Sequence, residues 1–237
     1  LFYNKALMAE RGITAPPATL EELVEQAKHL TYRDKDGKQM TGMVLASDLS
    51  VFPVMFARAF GGDFIGPDLK LVPNPAAQAQ ALAVLPAQST AGALPRSYAT
   101  TTNNDEATWM QQGRAAFTVY PFARYAQLNN KDQSRYPGQI TACEFPISKT
   151  LPGQHISAVT EFWAMSIPAN AKDKELGWSF IQAMSSPAIT TGAARNGNGP
   201  VRLSTYQDAS FTASQPLAAV QAVALRTARV PLPAFPE

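Results

Sequence analysis

The sequence has few cysteines and few charged residues. Cys143 is the only cysteine in 237 residues, which excludes an intrachain disulfide and any cysteine-cluster site for zinc or iron–sulfur. Charged residues make up 16% of the chain, with 20 Lys and Arg against 18 Asp and Glu and no basic run. This balance argues against a nucleic-acid interface and against a polybasic membrane patch. We therefore expect a small and uncharged partner.

Long apolar runs are also missing. Pro53, Pro86, Pro121 and Pro168 interrupt the most apolar windows, which therefore stay below the ~18–20 apolar residues that a transmembrane helix needs. The sequence begins at Leu1 without an initiator methionine or an apolar leader, which fits a mature product or a fragment. At ~100–200 residues per domain, the length allows one large or two small domains.

Strand-like and helix-like segments alternate along the chain, which is typical of α/β architecture. Thr19 and Glu22 form a capping-box pattern ahead of an amphipathic helix at 19–29. A buried strand is predicted at 41–46, followed by a helix at 50–60 that ends at two glycines. We therefore expect helices packed on a sheet.

Proline, glycine and asparagine mark the ends of the later predicted elements. In order, these are a helix at 74–85 that ends at Pro86, a helix at 103–112 capped by Asn103 or Asn104, a strand at 115–119, a helix at 122–128, a strand at 161–167 and a helix capped by Asn170 or Asp173. The last helix places Leu176, Phe180, Ala183 and Met184 at helical spacing. The proline-rich tail at 230–237 predicts an extended connector.

Motifs of common catalytic and cofactor sites are missing. The sequence has no phosphate loop with its lysine, no nucleophile elbow, no HExxH and no dinucleotide fingerprint. A thiol–imidazole pair of Cys143 with His29 or His155 is less consistent with the pattern than a core thiol and a solvated histidine at a helix end. We therefore expect no catalytic residue, no metal and no cofactor.

Aromatic residues stand beside polar ones at several predicted element ends. Examples are Phe2-Tyr3-Asn4, Phe122 with Arg124 and Tyr125, and Glu161-Phe162-Trp163. In open α/β sheets ligands bind outside the carboxyl ends of the strands, where such rings can face a cleft. A ring flanked by amide, carboxylate or guanidinium groups suits a sugar or polyol. The alternative, that most of these rings belong to the core, stays open.

Four blocks occur in an order that resembles a known family. They are LFYNK at 1–5 with Gly12, Pro16-Pro17 and the capped helix, FGG at 60–62, MQQGRAAFTVYPFARY at 110–125 and IPANAKDKELGWSFIQAMSSP at 167–187. Together they resemble the extracellular solute-binding proteins of family 1, the maltose-binding-protein-like receptors of ABC importers. The resemblance implies a two-lobe periplasmic-binding-protein fold of type II, α/β in class, that closes over a solute by hinge motion.

The resemblance also implies a domain organisation. It assigns 1–155 to the main part of the C-terminal-type lobe, 156–228 to a crossing plus part of the N-terminal-type lobe, and 229–237 to a proline-rich hinge crossing. A typical member is longer, so N-terminal and C-terminal portions are expected to be missing from this sequence.

Two ligand positions carry over from the family pattern. Tyr3 matches the tyrosine of the YN block, and Phe122 matches the aromatic platform on which a sugar ring stacks. Where the family usually has glycine before that platform, this sequence has Tyr120, which is a candidate to share the role. The remaining candidates come from predicted element ends and are Asp48, Arg124, Glu161, Phe162, Trp163 and Arg195.

These further candidates have distinct expected roles. Glu161 is a candidate acceptor for sugar hydroxyls, and Phe162 or Trp163 is expected to face the cleft. Asp48 either reaches the cleft or caps the next helix. Arg124 and Arg195 are the positions that an anionic ligand would require.

The resemblance predicts the substrate-binding component of an ABC importer, which captures a carbohydrate or polyol by domain closure and performs no chemistry. Its partners would be the solute and the membrane subunits of the transporter. A monomer is expected, located in the periplasm or tethered outside the membrane as a lipoprotein. One alternative is a receptor for another solute, such as a glycerol phosphate, an amino-acid derivative or a polyamine. The other is a hydrolase that uses Glu161 and Asp48 as an acid/base pair.

Overall fold

A mixed sheet of five strands forms the centre of the part of the chain that the structure describes. The structure is a computed structural model and describes residues 1–47, 51–66, 68, 70–72, 74–155, 158–160 and 163–230. The strands are β1 (Phe2–Asn4), β2 (Tyr32–Arg33), β3 (Gln39–Val44), β4 (Ala115–Thr118) and β5 (Ile140–Ala142). Their spatial order is β2-β3-β4-β1-β5. The β3–β4 pair is parallel, and the other neighbouring pairs are antiparallel.

Helices accompany the sheet and then continue along the chain. The earlier helices are α1 (Lys5–Glu10), α2 (Leu20–His29), α3 (Val51–Ala59), α4 (Pro75–Thr90), α5 (Asn103–Gln111) and α6 (Tyr125–Leu128), with short 3₁₀ turns at Tyr98–Thr100 and Phe122–Arg124. The later helices are α7 (Lys174–Met184), α8 (Pro187–Arg195), α9 (Leu203–Gln207), α10 (Ala209–Ser214) and α11 (Ala218–Thr227). Strands and helices thus alternate in the first part of the chain, as the α/β prediction requires.

The two central strands are buried because helices cover them. Every residue of β4 is buried, and β3 is buried from Met40 to Val44. Neighbouring residues of a strand point to opposite faces, so Met43 and Tyr3 pack with the main core while Val44 and Phe2 pack with a second, smaller cluster. A Cβ at Gly42 would lie 1.8 Å from the carbonyl oxygen of Ala27. Glycine is therefore what lets α2 approach β3 closely.

Several elements confirm the predictions made from local signals. The Thr19 hydroxyl accepts the backbone N–H of Glu22 at 3.1 Å and caps α2, whose Leu20, Leu23 and Ala27 are buried. The predicted strand at 41–46 corresponds to β3, and the predicted helix at 50–60 corresponds to α3. The predicted helix at 122–128 corresponds to the 3₁₀ turn at 122–124 followed by α6, and Asp173 caps α7 through the N–H of Leu176 at 2.8 Å.

Two predictions about element ends and one predicted strand are wrong. Helix α4 continues through Pro86 to Thr90, because packing of Ala81 and Val84 in the main core offsets the hydrogen bond that the proline cannot donate. Helix α5 is capped by Thr102 rather than by Asn103 or Asn104. Thr102 forms a capping box with Asp105, in which the carboxylate accepts the Thr102 N–H at 2.8 Å, and this arrangement satisfies two backbone donors instead of one.

The third error concerns the predicted strand at 161–167. Residues 163–167 form no strand, and no described strand lies beside them to supply a hydrogen-bonding partner. Trp163 is accordingly 88% exposed. Glu161 and Phe162 lie outside the described residues.

Helix α7 has an apolar face that the described residues do not bury. Leu176 is 66% exposed and Phe180 is 58% exposed, and no residue of the helix counts as buried. The later helices share only a small core, in which Ala194, Phe211 and Ala218 pack with Tyr206. The region from 163 to 228 is therefore far less densely packed than the sheet.

Two chain segments run side by side between these regions. The Thr160 N–H donates to the Arg229 carbonyl at 3.0 Å, and the Arg229 N–H donates to the Ala158 carbonyl at 2.8 Å. The buried Arg58, paired with Asp63 at 2.9 Å, also donates to the Val230 carbonyl at 2.9 Å. The first two bonds join the segments to each other, and Arg58 fastens the segment at 229–230 to the end of α3.

Candidate functional site

A cleft of about 330 Å³ lies between the segment that follows β4 and the helices α8, α10 and α11. Its volume falls in the range of small-molecule sites, ~300–1,000 Å³. Aromatic and small apolar residues from 122 to 126 line one side, and the loop after α8 lines another. The complete lining among the described residues is Phe122, Ala123, Tyr125, Ala126, Ala194, Arg195, Asn196, Gly197, Asn198, Pro200, Phe211, Gln215, Pro216, Leu217 and Gln221.

Phe122 is held in place by the sheet beneath it. Strand β4 ends at Thr118, and Pro121 turns the chain into the 3₁₀ turn that carries Phe122. The Phe122 ring contacts the fully buried Phe2 ring, with 6.2 Å between centroids and a tilt of 53°. A ring supported in this way gives the cleft an apolar wall of defined orientation.

Arg195 is fixed from the opposite side by the start of α10. One terminal nitrogen of its guanidinium donates to the Ser210 hydroxyl at 2.7 Å and to the Asp208 carboxylate at 3.3 Å. The other carboxylate oxygen of Asp208 accepts the N–H of Ser210 at 2.8 Å and that of Phe211 at 3.1 Å, which caps α10. Hydrogen bonds from the Ser210 side chain, and then from the Phe211 backbone, lower the pKa of the Asp208 carboxyl.

The other polar residues that the structure describes in the lining are uncharged. Asn196 is the C-cap of α8, and the Asn198 amide donates to the Ala193 carbonyl at 3.3 Å, which folds the loop back on the helix. Gln215 and Gln221 contribute two more carboxamides. Each carboxamide both donates and accepts hydrogen bonds, as the hydroxyl groups of a sugar or polyol do.

The structure brings two predicted site residues together in the cleft. These are Phe122 and Arg195, which are 73 positions apart in the sequence. Tyr120 packs in the small cluster next to Phe122, and its hydroxyl donates to the Asn103 carbonyl at 3.2 Å. Burial raises the pKa of Tyr120, which packs beside Phe122 and does not line the cleft in this structure.

The other predicted residues lie elsewhere or outside the description. Tyr3 is half-buried against the main core, and burial raises its pKa. Arg124 is exposed beside the wall, and Trp163 is exposed on the segment before α7; neither lines the cleft. Asp48, Glu161 and Phe162 lie outside the described residues. Contact of these residues with a ligand stays a prediction.

Sequence reasoning did not single out several lining residues. Asn198, Gln215 and Gln221 belong to loop and helix positions without an aromatic or charged signature. The asparagine–glycine stretch at 196–200 is typical of a loop but gives no indication of what the loop faces. Only the packing of α8, α10 and α11 brings these amides to the cleft.

A second groove, which we call the Tyr32–Tyr136 groove, is more polar. It has a volume of about 630 Å³ and is lined by charges of both signs, including Glu10, Arg11 and Arg135. The Arg11 guanidinium lies 4.8 Å from the centre of the Tyr32 ring. The groove contains none of the residues predicted to bind a ligand, so it is the weaker candidate.

The described residues offer little for metal or thiol chemistry. Among them, no group of three His, Cys, Asp or Glu side chains is placed to hold a metal ion. His155 lies 2.9 Å from the Glu144 carboxylate, and burial raises the pKa of the Cys143 thiol, which disfavours its reactive form. No helix in the described ranges has the length and apolar character required to cross a membrane.

Comparison with solved structures shows the fold of which this chain is part. A solute-binding protein of an ABC transporter from Agrobacterium radiobacter K84, in complex with ribitol, is 24% identical with a TM-score of 0.80; the match covers 98% of this chain and 59% of that one. Maltose-bound MalE3 of T. maritima is 22% identical with a TM-score of 0.82, over 97% of this chain and 59% of that one. UgpB from Mycobacterium tuberculosis, in complex with glycerophosphocholine, is 22% identical with a TM-score of 0.72, over 97% of this chain and 56% of that one.

These likenesses confirm the predicted two-lobe α/β fold of periplasmic binding proteins. The chain spans about 59% of the length of the first two structures. Residues 1–191 match the family model of the bacterial extracellular solute-binding proteins, which is well over half of the chain. The chain therefore belongs to the bacterial extracellular solute-binding protein family.

Proposed function

We propose that this protein is the substrate-binding component of an ABC importer and that it captures a carbohydrate or polyol in the Phe122 cleft. The observation that supports this most is the pairing of a sheet-supported aromatic wall with an amide-rich loop across a small cleft. The C–H face of a sugar packs on an aromatic ring, and its hydroxyl groups exchange hydrogen bonds with carboxamides and a guanidinium. Structures with the same fold carry ribitol, maltose, D-mannitol and α-D-tagatose, which supports this ligand class.

The crossing segments support closure as the capture mechanism. Residues 158–160 and 229–230 pair with each other, and the Arg229 and Val230 carbonyls accept hydrogen bonds from Arg58 at the end of α3, which fits two crossings of the chain at one place. Segments that cross together allow the two sides of a cleft to rotate about them while each side stays intact. Closure would remove water from the cleft and strengthen each hydrogen bond to the solute.

The remaining parts of the proposal follow from this role. The C-terminal-type lobe comprises 1–155, the crossing plus part of the N-terminal-type lobe comprises 156–228, and 229–237 forms the second crossing. The protein is a monomer that delivers its solute to the membrane subunits of the importer and performs no reaction on it. It works in the periplasm or as a lipoprotein tethered outside the membrane.

A ligand screen on the full-length protein tests the proposal. Thermal unfolding is recorded with ribitol, D-mannitol, maltose, glycerophosphocholine and a set of amino acids. A ligand at 100 times its dissociation constant adds about 2.7 kcal/mol to the free energy of unfolding, which raises the melting temperature measurably. We expect a neutral sugar or polyol to give the largest shift. A large shift with amino acids alone would contradict the proposal.

A matched pair of variants locates the site. Phe122→Ala removes the aromatic wall and is expected to weaken the best ligand at least tenfold by calorimetric titration, because stacking and burial are lost together. Phe180→Ala removes the same ring from the exposed face of α7, which does not line the cleft, and is expected to leave affinity unchanged. Equal affinities of the two variants would place the ligand elsewhere.

A further inference from the structure

The cleft contains a single charged side chain among the described residues that line it. That residue is Arg195, and the other polar lining residues are carboxamides and Tyr125. A guanidinium without a counter-charge in a small cleft would make it a site for carboxylates or phosphates. The groups that contact Arg195 from outside the cleft therefore determine whether the cleft accepts anionic or neutral ligands.

The carboxylate of Asp208 balances this charge from outside the cleft. It contacts the Arg195 guanidinium at 3.3 Å but is not itself part of the lining. Its second oxygen is occupied by the backbone N–H groups of Ser210 and Phe211, so the carboxylate cannot turn away without uncapping α10. Ser210 adds a short hydrogen bond to the same nitrogen of Arg195, at 2.7 Å.

We infer that Asp208 is a positioning residue that neutralises Arg195 and thereby makes the cleft select neutral polyhydroxylated ligands over anionic ones. The inference deepens the proposed function and rests on it for the ligand class. Asp208 and Ser210 engage one terminal nitrogen, and a guanidinium carries five N–H donors in all. Arg195 then serves as a donor to hydroxyl oxygens rather than as a partner for an anion.

The variant Asp208→Asn tests this without removing the helix cap. Asparagine caps helices about as well as aspartate, so α10 is retained while the negative charge is lost. Three probes are used on the full-length protein: ribitol, ribitol 5-phosphate and inorganic phosphate. We expect the unmodified protein to show no thermal shift with inorganic phosphate. The variant should gain such a shift, and its preference for ribitol 5-phosphate over ribitol should rise about tenfold.

Two further variants separate charge from structure. Arg195→Gln in the Asp208→Asn background should abolish the gained response to phosphate, because the cation that attracts it is gone. Asp173→Asn makes the same chemical change at the cap of α7, outside the cleft lining, and should respond like the unmodified protein. A general loss of structure would weaken the binding of all three probes together and would not change which probe binds best.

Two results would overturn the inference. One is an unmodified protein that binds inorganic phosphate and loses that binding in Arg195→Gln, since Arg195 would then be an anion site already. The other is an Asp208→Asn protein whose response to phosphate equals that of the unmodified protein. Failure of ribitol and every other neutral sugar or polyol to bind would instead contradict the proposed function, because the phosphate response reports the charge of Arg195 independently.

Discussion

The sheet and helix α7 use similar apolar residues but bury them to very different extents. Phe117 in β4 is fully buried, whereas Phe180 in α7 is 58% exposed. Phe117 was placed by a short apolar run and Phe180 by helical spacing, and both patterns report the type of an element and not the presence of its partner. In this chain the partners of β4 are described, while the described residues do not cover α7. Stability should therefore be concentrated in the sheet and the helices packed on it.

The cleft lies where these two unequal regions meet. Phe122 belongs to the well-packed side, since it rests on Phe2, and Arg195 belongs to the helical side, where only a small core holds α8, α10 and α11 together. A ligand that contacts both residues would add to the helical side contacts that it otherwise lacks. Ligand binding and the stability of the helical region are therefore expected to be coupled.

The largest contrast is expected from removing one aromatic ring on each side. Phe117→Ala should lower the free energy of unfolding by about 3–5 kcal/mol, because it leaves a cavity in a fully buried site. Phe180→Ala should change it by less than about 0.5 kcal/mol, as surface substitutions do. Urea unfolding followed by circular dichroism measures both. Comparable losses would mean that α7 is covered in solution.

Two glycines provide a second contrast. Gly42→Ala should destabilise by about 1–3 kcal/mol, because the added Cβ would overlap the Ala27 carbonyl and push α2 away from β3. Gly192→Ala, inside α8, meets no atom within 4 Å and should stabilise by up to about 1 kcal/mol through helix propensity. The melting temperatures of the two variants, measured by thermal unfolding, should therefore shift in opposite directions from that of the unmodified protein. A stabilising Gly42→Ala would contradict the close approach.

Helix caps distinguish global from local stability. Thr102→Ala removes the capping box of α5 and should cost about 1 kcal/mol of global stability, because α5 packs on β4. Asp173→Ala removes the cap of α7, which has no buried residue, and should only speed amide hydrogen exchange within 174–178. If Asp173→Ala lowered the global unfolding free energy as much as Thr102→Ala, α7 would belong to the same cooperative unit as the sheet.

The smallest effects concern pH. Hydrogen bonds from Thr102 lower the pKa of the Asp105 carboxyl, the backbone N–H having the larger effect and the side chain the smaller. The pKa of the Asp208 carboxyl is lowered chiefly by the hydrogen bond from the Ser210 side chain. A carboxyl whose folded pKa is lowered adds stability that is complete above the unfolded value, about 3.9 for Asp, and is lost as the pH falls through the lower folded value. Melting temperatures from pH 6 to pH 2.5 should fall less steeply for Asp105→Asn than for the unmodified protein. Identical slopes would contradict the assignment.

The comparison also shows which features were accessible from the sequence. Local signals sufficed for α2, β3, α3 and β4, whose caps, alternation and glycine ends lie within a few residues. They failed at Pro86, where core packing ahead of the proline outweighs the lost hydrogen bond, and at 163–167, where no strand within the described ranges lies beside the strand pattern. Such outcomes depend on residues far away in the sequence.

The same distinction applies to the cleft. Phe122 was predicted because its block resembles the family pattern, and Arg195 because it stands at a predicted element end; their meeting is a result of tertiary packing. Asn198, Gln215 and Gln221 had no signal of their own, since neutral amides in loops are common and carry no periodicity. The role of Asp208 in neutralising Arg195 could not be predicted either. An aspartate before a helix is explained by capping alone, so the sequence does not indicate that it also pairs with an arginine.

Hydrogen exchange with and without a bound neutral ligand tests the central claim most directly. The ligand that gives the largest shift among ribitol, D-mannitol and maltose is added to the full-length protein, and exchange is followed by mass spectrometry. The account predicts slower exchange in 122–126 and 195–198 together, because the ligand joins the two sides of the Phe122 cleft. Protection around the Tyr32–Tyr136 groove, with both cleft segments unchanged, would contradict it.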